Sequence, residues 1–136
     1  MMARWLVRSE PGTYSFDDLK RDGKTAWDGV RNNTAALHLK AMKVGDEVFF
    51  YHSGEGKEVV GVAKVAKESY LDPTDPAGRF VAVELAYVRP LKTPVTLVQM
   101  KAEPALAQMA MIKLSRISVS PVTDAEWAKV LQMAGE

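Results

Sequence analysis

Residues 47–67 read EVFFYHSGEGKEVVGVAKVAK, two runs dense in Val, Phe and Tyr joined at Ser53-Gly54-Glu55-Gly56. Branched and aromatic side chains in runs of this length favour strands, and a short glycine-bearing joint favours a tight turn between them. A third run of the same kind, Arg79–Pro90 (RFVAVELAYVRP), follows the Pro-containing loop Leu71–Gly78 (LDPTDPAG). Glu47–Ser53, Lys57–Lys67 and Arg79–Pro90 are therefore expected as an antiparallel meander.

Upstream of the meander, Ala3–Ser9 sets Trp5 and Val7 against Leu6 and Arg8 and stops at Pro11-Gly12, the pattern of a short strand. Ser15 and Asp18 have the spacing of a capping box, with Phe16 and Leu19 as an apolar side and Gly23 as the stop. Thr34–Met42 carries apolar residues on a helical period and closes at Gly45-Asp46. Downstream, Thr96–Met109 reads as short helical turns broken at Pro104, and Ile112–Val119 (IKLSRISV) alternates as a last strand. Thr123 with Glu126 is a second capping box, opening a terminal helix that carries Trp127, Val130 and Leu131. Strand, two helices, three strands, helical turns, strand and helix predict a mixed α/β (α+β) domain built on a small five-stranded barrel, because strict βαβ alternation is missing. With no repeat, low-complexity tract or linker, one domain over residues 1–136 is expected.

The chain has 136 residues, 47% hydrophobic, with two histidines and no cysteine. That excludes a disulfide framework and thiolate chemistry, and His38 and His52 are too few for a His-rich centre, so neither metal nor cofactor is expected. No apolar run is long enough to cross a membrane, and the first residues lack the apolar core of a signal peptide. A cytoplasmic monomer with no membrane partner is the expectation. The net charge of +1 argues against a nucleic-acid binder that works by bulk charge, while leaving a pocket-based reader open.

Chemistry-bearing residues are few. Gly54-Glu55-Gly56 has the wrong spacing for a phosphate-cradling loop. Ser9, His52 and Asp28 make a formal nucleophile, base and orienter, but no GxSxG-type turn presents the serine. Thr25–Asn33 (TAWDGVRNN) is more informative, since an indole, a guanidinium and amides in a stretch without periodicity are what a planar polar ring requires. The same residues also suit a buried loop anchor with Arg31 in an ion pair. Ser9-Glu10-Pro11 and Tyr51-His52-Ser53 each end a strand, where polar groups can line the mouth of a small barrel.

Taken together, Trp5-Leu6-Val7-Arg8-Ser9-Glu10-Pro11, Trp27-Asp28-Gly29-Val30-Arg31-Asn32, Met42-Lys43-Val44-Gly45-Asp46 with Phe49–Ser53, Asp72-Pro73-Thr74 and Leu114–Val119 resemble the EVE domain family over about residues 3–132. The sequence departs from the family pattern at Asn33-Thr34, where relatives often carry an aromatic residue. The resemblance implies a PUA-like five-stranded pseudobarrel with peripheral short helices. It also implies a non-enzymatic nucleic-acid-binding module that flips a modified base into an aromatic and polar pocket. The favoured partner is DNA carrying 5-methylcytosine or a related modified cytosine. A binder of modified RNA such as tRNA and an ASCH-like hydrolase or nuclease using Glu10, His52 or Lys43 are the alternatives. The expected base pocket gathers Ser9, Glu10, Trp27, Val30, Arg31, Asn32, Tyr51, His52 and Ser53 on one concave site. Within it Trp27 stacks, Asn32, Ser9 and Ser53 meet the base edge, and Val30 and the Tyr51 ring form a methyl notch. Arg31, Lys43 and Arg116 are expected to hold phosphates.

Overall fold

The computed structural model describes residues 3–54, 56–114 and 116–136. Six strands form one sheet: β1 (Arg4–Ser9), β2 (Lys24–Trp27), β3 (Glu47–His52), β4 (Glu58–Leu71), β5 (Val81–Thr96) and β6 (Val119–Val122). They lie in the order β2-β5-β4-β3-β1-β6. The meander β3-β4-β5 is antiparallel as expected, while β1 runs parallel to β3 and antiparallel to β6. Register shifts along β4 and β5 mark bulges, which bend and twist these long strands.

The helices are α1 (Phe16–Asp22), α2 (Asn33–Ala41), α3 (Leu97–Ala102), α4 (Ala110–Lys113) and α5 (Asp124–Met133), with a 3-10 turn at Pro104–Leu106. Both capping boxes form: Ser15 with Asp18 opens α1, and Thr123 with Glu126 opens α5. Gly23 ends α1 at φ 81°, a conformation that costs glycine little. Strand β3 explains the layering. Its alternate residues Val48 and Phe50 point into one core with Trp5, Val7, Phe16, Leu19, Leu39 and Val83, beneath α1 and α2. Phe49 and Tyr51 point into a second core with Leu6, Met100, Met109, Trp127 and Val130, beneath α3, α4 and α5. A strand buried on both faces reads as a continuous apolar run, as EVFFYH does. Trp127 stacks on Phe49 with centroids 3.7 Å apart, which fixes α5 on the sheet.

Two expectations are corrected. The sheet has six strands rather than five, because Lys24–Trp27 pairs antiparallel with Val83–Ala86 as a short edge strand. The last strand is Val119–Val122, not Ile112–Val119, whose first residues belong to α4, while Ser115 lies outside the described residues, as does Glu55 of the β3–β4 joint. Pro121 is tolerated within β6 because that strand is at the edge of the sheet.

Candidate functional site

A cavity of about 450 Å³ opens on the α1 side of the sheet, lined by Ser9, Thr13, Tyr14, Thr25, Ala26, Trp27 and Asp28. Ser9 reaches it from the end of β1 and Trp27 from the end of β2. The segment between β1 and α1 closes back on itself, since Thr13 and Tyr14 donate backbone hydrogen bonds to the Glu10 carbonyl and the Ser9 hydroxyl donates to the Tyr14 carbonyl at 2.5 Å. The Tyr14 hydroxyl in turn donates to Asp22 at 2.8 Å. Trp27 is half-buried, and its indole meets Phe50 edge to face at 5.6 Å. One side is thus packed on the core while the residue still lines the cavity.

His52 packs on the same Phe50 ring, edge to face at 5.7 Å, and its Nε2 accepts the Phe16 backbone N–H at 3.0 Å. That bond requires a neutral imidazole. Burial pushes the His52 pKa down, with the Glu58 and Asp17 carboxylates opposing it. A histidine whose folded pKa lies below its unfolded value contributes stability that is complete above about pH 6.5 and is lost as pH falls from there through the folded pKa. Urea midpoints should therefore drop between pH 7 and pH 5. His52→Gln should flatten that dependence, leaving the same-signed contribution of His38, also depressed by burial. An unchanged slope in the variant would detach the effect from His52.

The loop after Trp27 is braced by Asp72, whose side chain is wholly buried. Gly29, at φ 76°, donates its N–H to Asp72 Oδ2 at 2.8 Å, and Arg31 Nη1 donates to the same oxygen at 3.0 Å. Asp72 Oδ1 receives the Thr74 N–H at 2.7 Å and the Thr74 hydroxyl at 2.6 Å, and Arg31 Nη2 reaches the Thr74 Oγ1 at 3.0 Å. Burial alone raises a carboxyl pKa, but here the bonds from Thr74, Gly29 and Arg31 outweigh it and hold Asp72 well below the usual carboxylate range. The Arg31 guanidinium also lies 5.3 Å over the Phe80 ring. The structure thus gives Arg31 the ion-paired anchoring position that the tract allowed as one of its two readings.

The other expected site residues are distributed. Val30 is buried in the first core, away from any notch. Asn32 Oδ1 caps α2 by accepting the Ala35 N–H at 2.9 Å, and with Thr34, Leu114, Arg116 and Ile117 it lines a separate cavity of about 330 Å³. Tyr51 faces the second core, 0% exposed, with its hydroxyl lacking a hydrogen-bond partner among the described residues. Its ring lies 5.4 Å from the Arg8 guanidinium carbon, in the wall of a basic cavity that also contains Lys57, Lys101 and Arg116. Ser53 shares a shallow groove with Arg8, Arg116 and Ser118. Glu10 and Lys43 are exposed. Ser9 and Trp27 thus come together with His52 close behind, whereas Tyr51 faces the other side of the sheet, and Arg116 lines cavities both with Asn32 and with Tyr51 and shares a groove with Ser53. Thr13, Tyr14, Thr25, Ala26 and Asp28 complete the cavity and have no place in the pocket expected from the sequence. Asp72 had none either, although Asp-Pro-Thr is a side-chain-to-backbone turn signal.

Residues 3–133 match the model of the EVE domain. Human thymocyte nuclear protein 1 is 33% identical over 167 residues, covering 98% of this chain and 74% of the relative. Among solved structures, Rpa0253 from Rhodopseudomonas palustris superposes with a TM-score of 0.94 at 54% identity, over 98% of this chain and 94% of that one. The human THYN1 protein in complex with DNA containing 5-methylcytosine superposes with a TM-score of 0.92 at 32% identity, over 98% of each chain.

Proposed function

The chain belongs to the EVE domain family, and from that premise we propose that it reads a modified cytosine in DNA, enclosing the flipped base in the cavity bounded by Trp27 and Ser9. The observation that carries the reading is the position of Trp27: one side of the indole is fixed against Phe50 while the residue lines a cavity large enough to admit a nucleobase. A base within a duplex cannot be enclosed. Extrusion costs a few kcal/mol, which stacking and hydrogen bonds to the base edge recover. In this cavity the apolar contact for a 5-methyl group falls to Ala26 and Tyr14 rather than to Val30 and Tyr51. Arg116 and Lys43 supply backbone contacts, and Arg31 holds the Trp27 loop through Asp72. The protein acts as a binding module, since the base that hydrolysis would call on, His52, has its Nε2 lone pair engaged by the Phe16 amide.

A panel of DNA and RNA oligonucleotides with and without 5-methylcytosine tests this, with hydrolysis followed in the same tubes. Trp27→Ala should weaken binding to modified and plain DNA by about 1–3 kcal/mol, roughly 5- to 150-fold, through lost stacking. A net charge of +1 with few cations on phosphate predicts a log–log salt slope of roughly −2 to −4, and Arg116→Ala should reduce it by about one unit. Equal affinity for modified and plain DNA with a steep slope would overturn the reading. Turnover abolished by His52→Ala would replace it with an enzyme.

A further inference from the structure

We infer that Asp28 makes this site select cytosine over thymine by accepting a hydrogen bond from the exocyclic N4 amine. The inference rests on the modified-cytosine reading above and deepens it. A 5-methyl group is common to 5-methylcytosine and thymine, so an apolar contact at that position cannot separate the two. Position 4 separates them: cytosine presents an N4 donor there and thymine an O4 acceptor.

The polar side chains of the cavity differ in how strictly they read that position. The Ser9 and Tyr14 hydroxyls already give their protons to the Tyr14 carbonyl and to Asp22, while Thr13 and Thr25 carry hydroxyls that rotate to donate or accept and tolerate either base. Asp28 is the one carboxylate among the lining residues, and a carboxylate only accepts. It suits the cytosine N4 amine, a recognised aspartate partner, and sets two acceptors against each other when O4 is there instead. Asp28 is exposed, and no hydrogen bond or ion pair to another described residue engages its carboxylate. The neighbouring acids are occupied: Asp22 is held by Tyr14 and Arg21, and Asp72 by Gly29, Thr74 and Arg31. The backbone bearing Asp28 is fixed on both sides, by the pairing of Trp27 with Val83 and by the Gly29 bond to Asp72, so the carboxylate sits on a rigid support. Hydrolytic deamination replaces the N4 amine of 5-methylcytosine with oxygen and yields thymine. A site with this acceptor binds the methylated base and passes over its deamination product.

The test is a set of fluorescence-anisotropy titrations with duplexes identical except at one position: 5-methylcytosine opposite G, cytosine opposite G, and thymine opposite G. The T·G mismatch is easier to unpair, so flipping cost alone would favour thymine, and a preference for 5-methylcytosine must come from the site. The unsubstituted protein should bind the 5-methylcytosine duplex at least tenfold more tightly than the T·G duplex. Asp28→Asn, whose carboxamide can also donate, should bring that ratio within about threefold while leaving the 5-methylcytosine to cytosine ratio unchanged. Asp28→Ala should weaken binding of 5-methylcytosine and spare thymine. Because removing a negative charge raises affinity for all DNA, the ratios are the readout. A 5-methylcytosine to thymine ratio unaltered by both substitutions overturns the role of Asp28 and leaves the reader intact. A protein that binds no methylated duplex better than plain DNA overturns the reading itself.

Discussion

Replacing Asp72 with Ala should lower stability by about 2–3 kcal/mol, since removing a wholly buried carboxylate leaves its donors without an acceptor while the Arg31 side of the pair stays in contact with solvent. Four donors converge on this carboxylate, two of them backbone N–H groups, from Gly29 and Thr74, that have no rotamer with which to find another partner. Chemical denaturation at pH 7 checks the magnitude. The pH profile checks the cause: a carboxyl with a depressed folded pKa contributes stability that is complete above its unfolded pKa, about 3.9, and is lost as pH falls through the folded pKa. Wild-type protein should therefore lose stability relative to Asp72→Ala only below about pH 4. Because Gly29 and Arg31 are released together, the variant should also lose affinity for methylated DNA under conditions where it remains folded. A loss under 1 kcal/mol would mean that the loop holds itself.

The second large effect is expected at Gly61, where β4 passes beneath α1. A Cβ built there would lie 2.2 Å from the Cε2 and Cζ atoms of Phe16. The ring has no room to yield, being 5% exposed and packed between Phe50 at 5.2 Å and Tyr87 at 5.1 Å. Gly61→Ala should therefore displace Phe16 and cost about 3 kcal/mol, between a moderate overpacking penalty and full loss of a buried phenylalanine. A double-mutant cycle decides the mechanism. In a Phe16→Ala background the added methyl meets open space, so the two losses should be strongly non-additive. Additive losses would place the cost of Gly61→Ala elsewhere. Since Phe16 also gives its N–H to His52, the single variant should alter the pH dependence assigned to that histidine.

Local features of the fold were legible in the sequence, and long-range ones were not. Ser15 with Asp18 and Thr123 with Glu126 marked their helices because a capping box is complete within four residues. The Val-rich runs marked the meander for the same reason. Lys24–Trp27 is not legible as a strand because four residues carry little periodicity, and their strand character comes from pairing with β5. Asp72 is bound to Gly29 across 43 positions of sequence, a distance over which no spacing rule operates. Trp27 and Ser9 were recognisable by chemical type. Tyr51 and His52, however, cannot both face one side of a strand with a two-residue period, and the structure puts Tyr51 in the second core. That parity could have been read from EVFFYH itself.

The placement of β1 between β3 and β6 bears on how the chain reaches its native state. Arg4 aligns with Glu47 on one side and with Val122 on the other, so the strand that delivers Ser9 to the cavity lies between two segments that are themselves far apart in sequence. On a growing polypeptide β1 emerges early and has no β6 to pair with until residues through Val122 have been synthesised. Pairing between such distant segments closes large loops, which slows folding relative to a chain of local contacts. Completion of this edge and the docking of Trp127 on Phe49 behind it both require the segment from Val119 onward, and without it β1 keeps one flank of backbone hydrogen-bonding groups open to other strands.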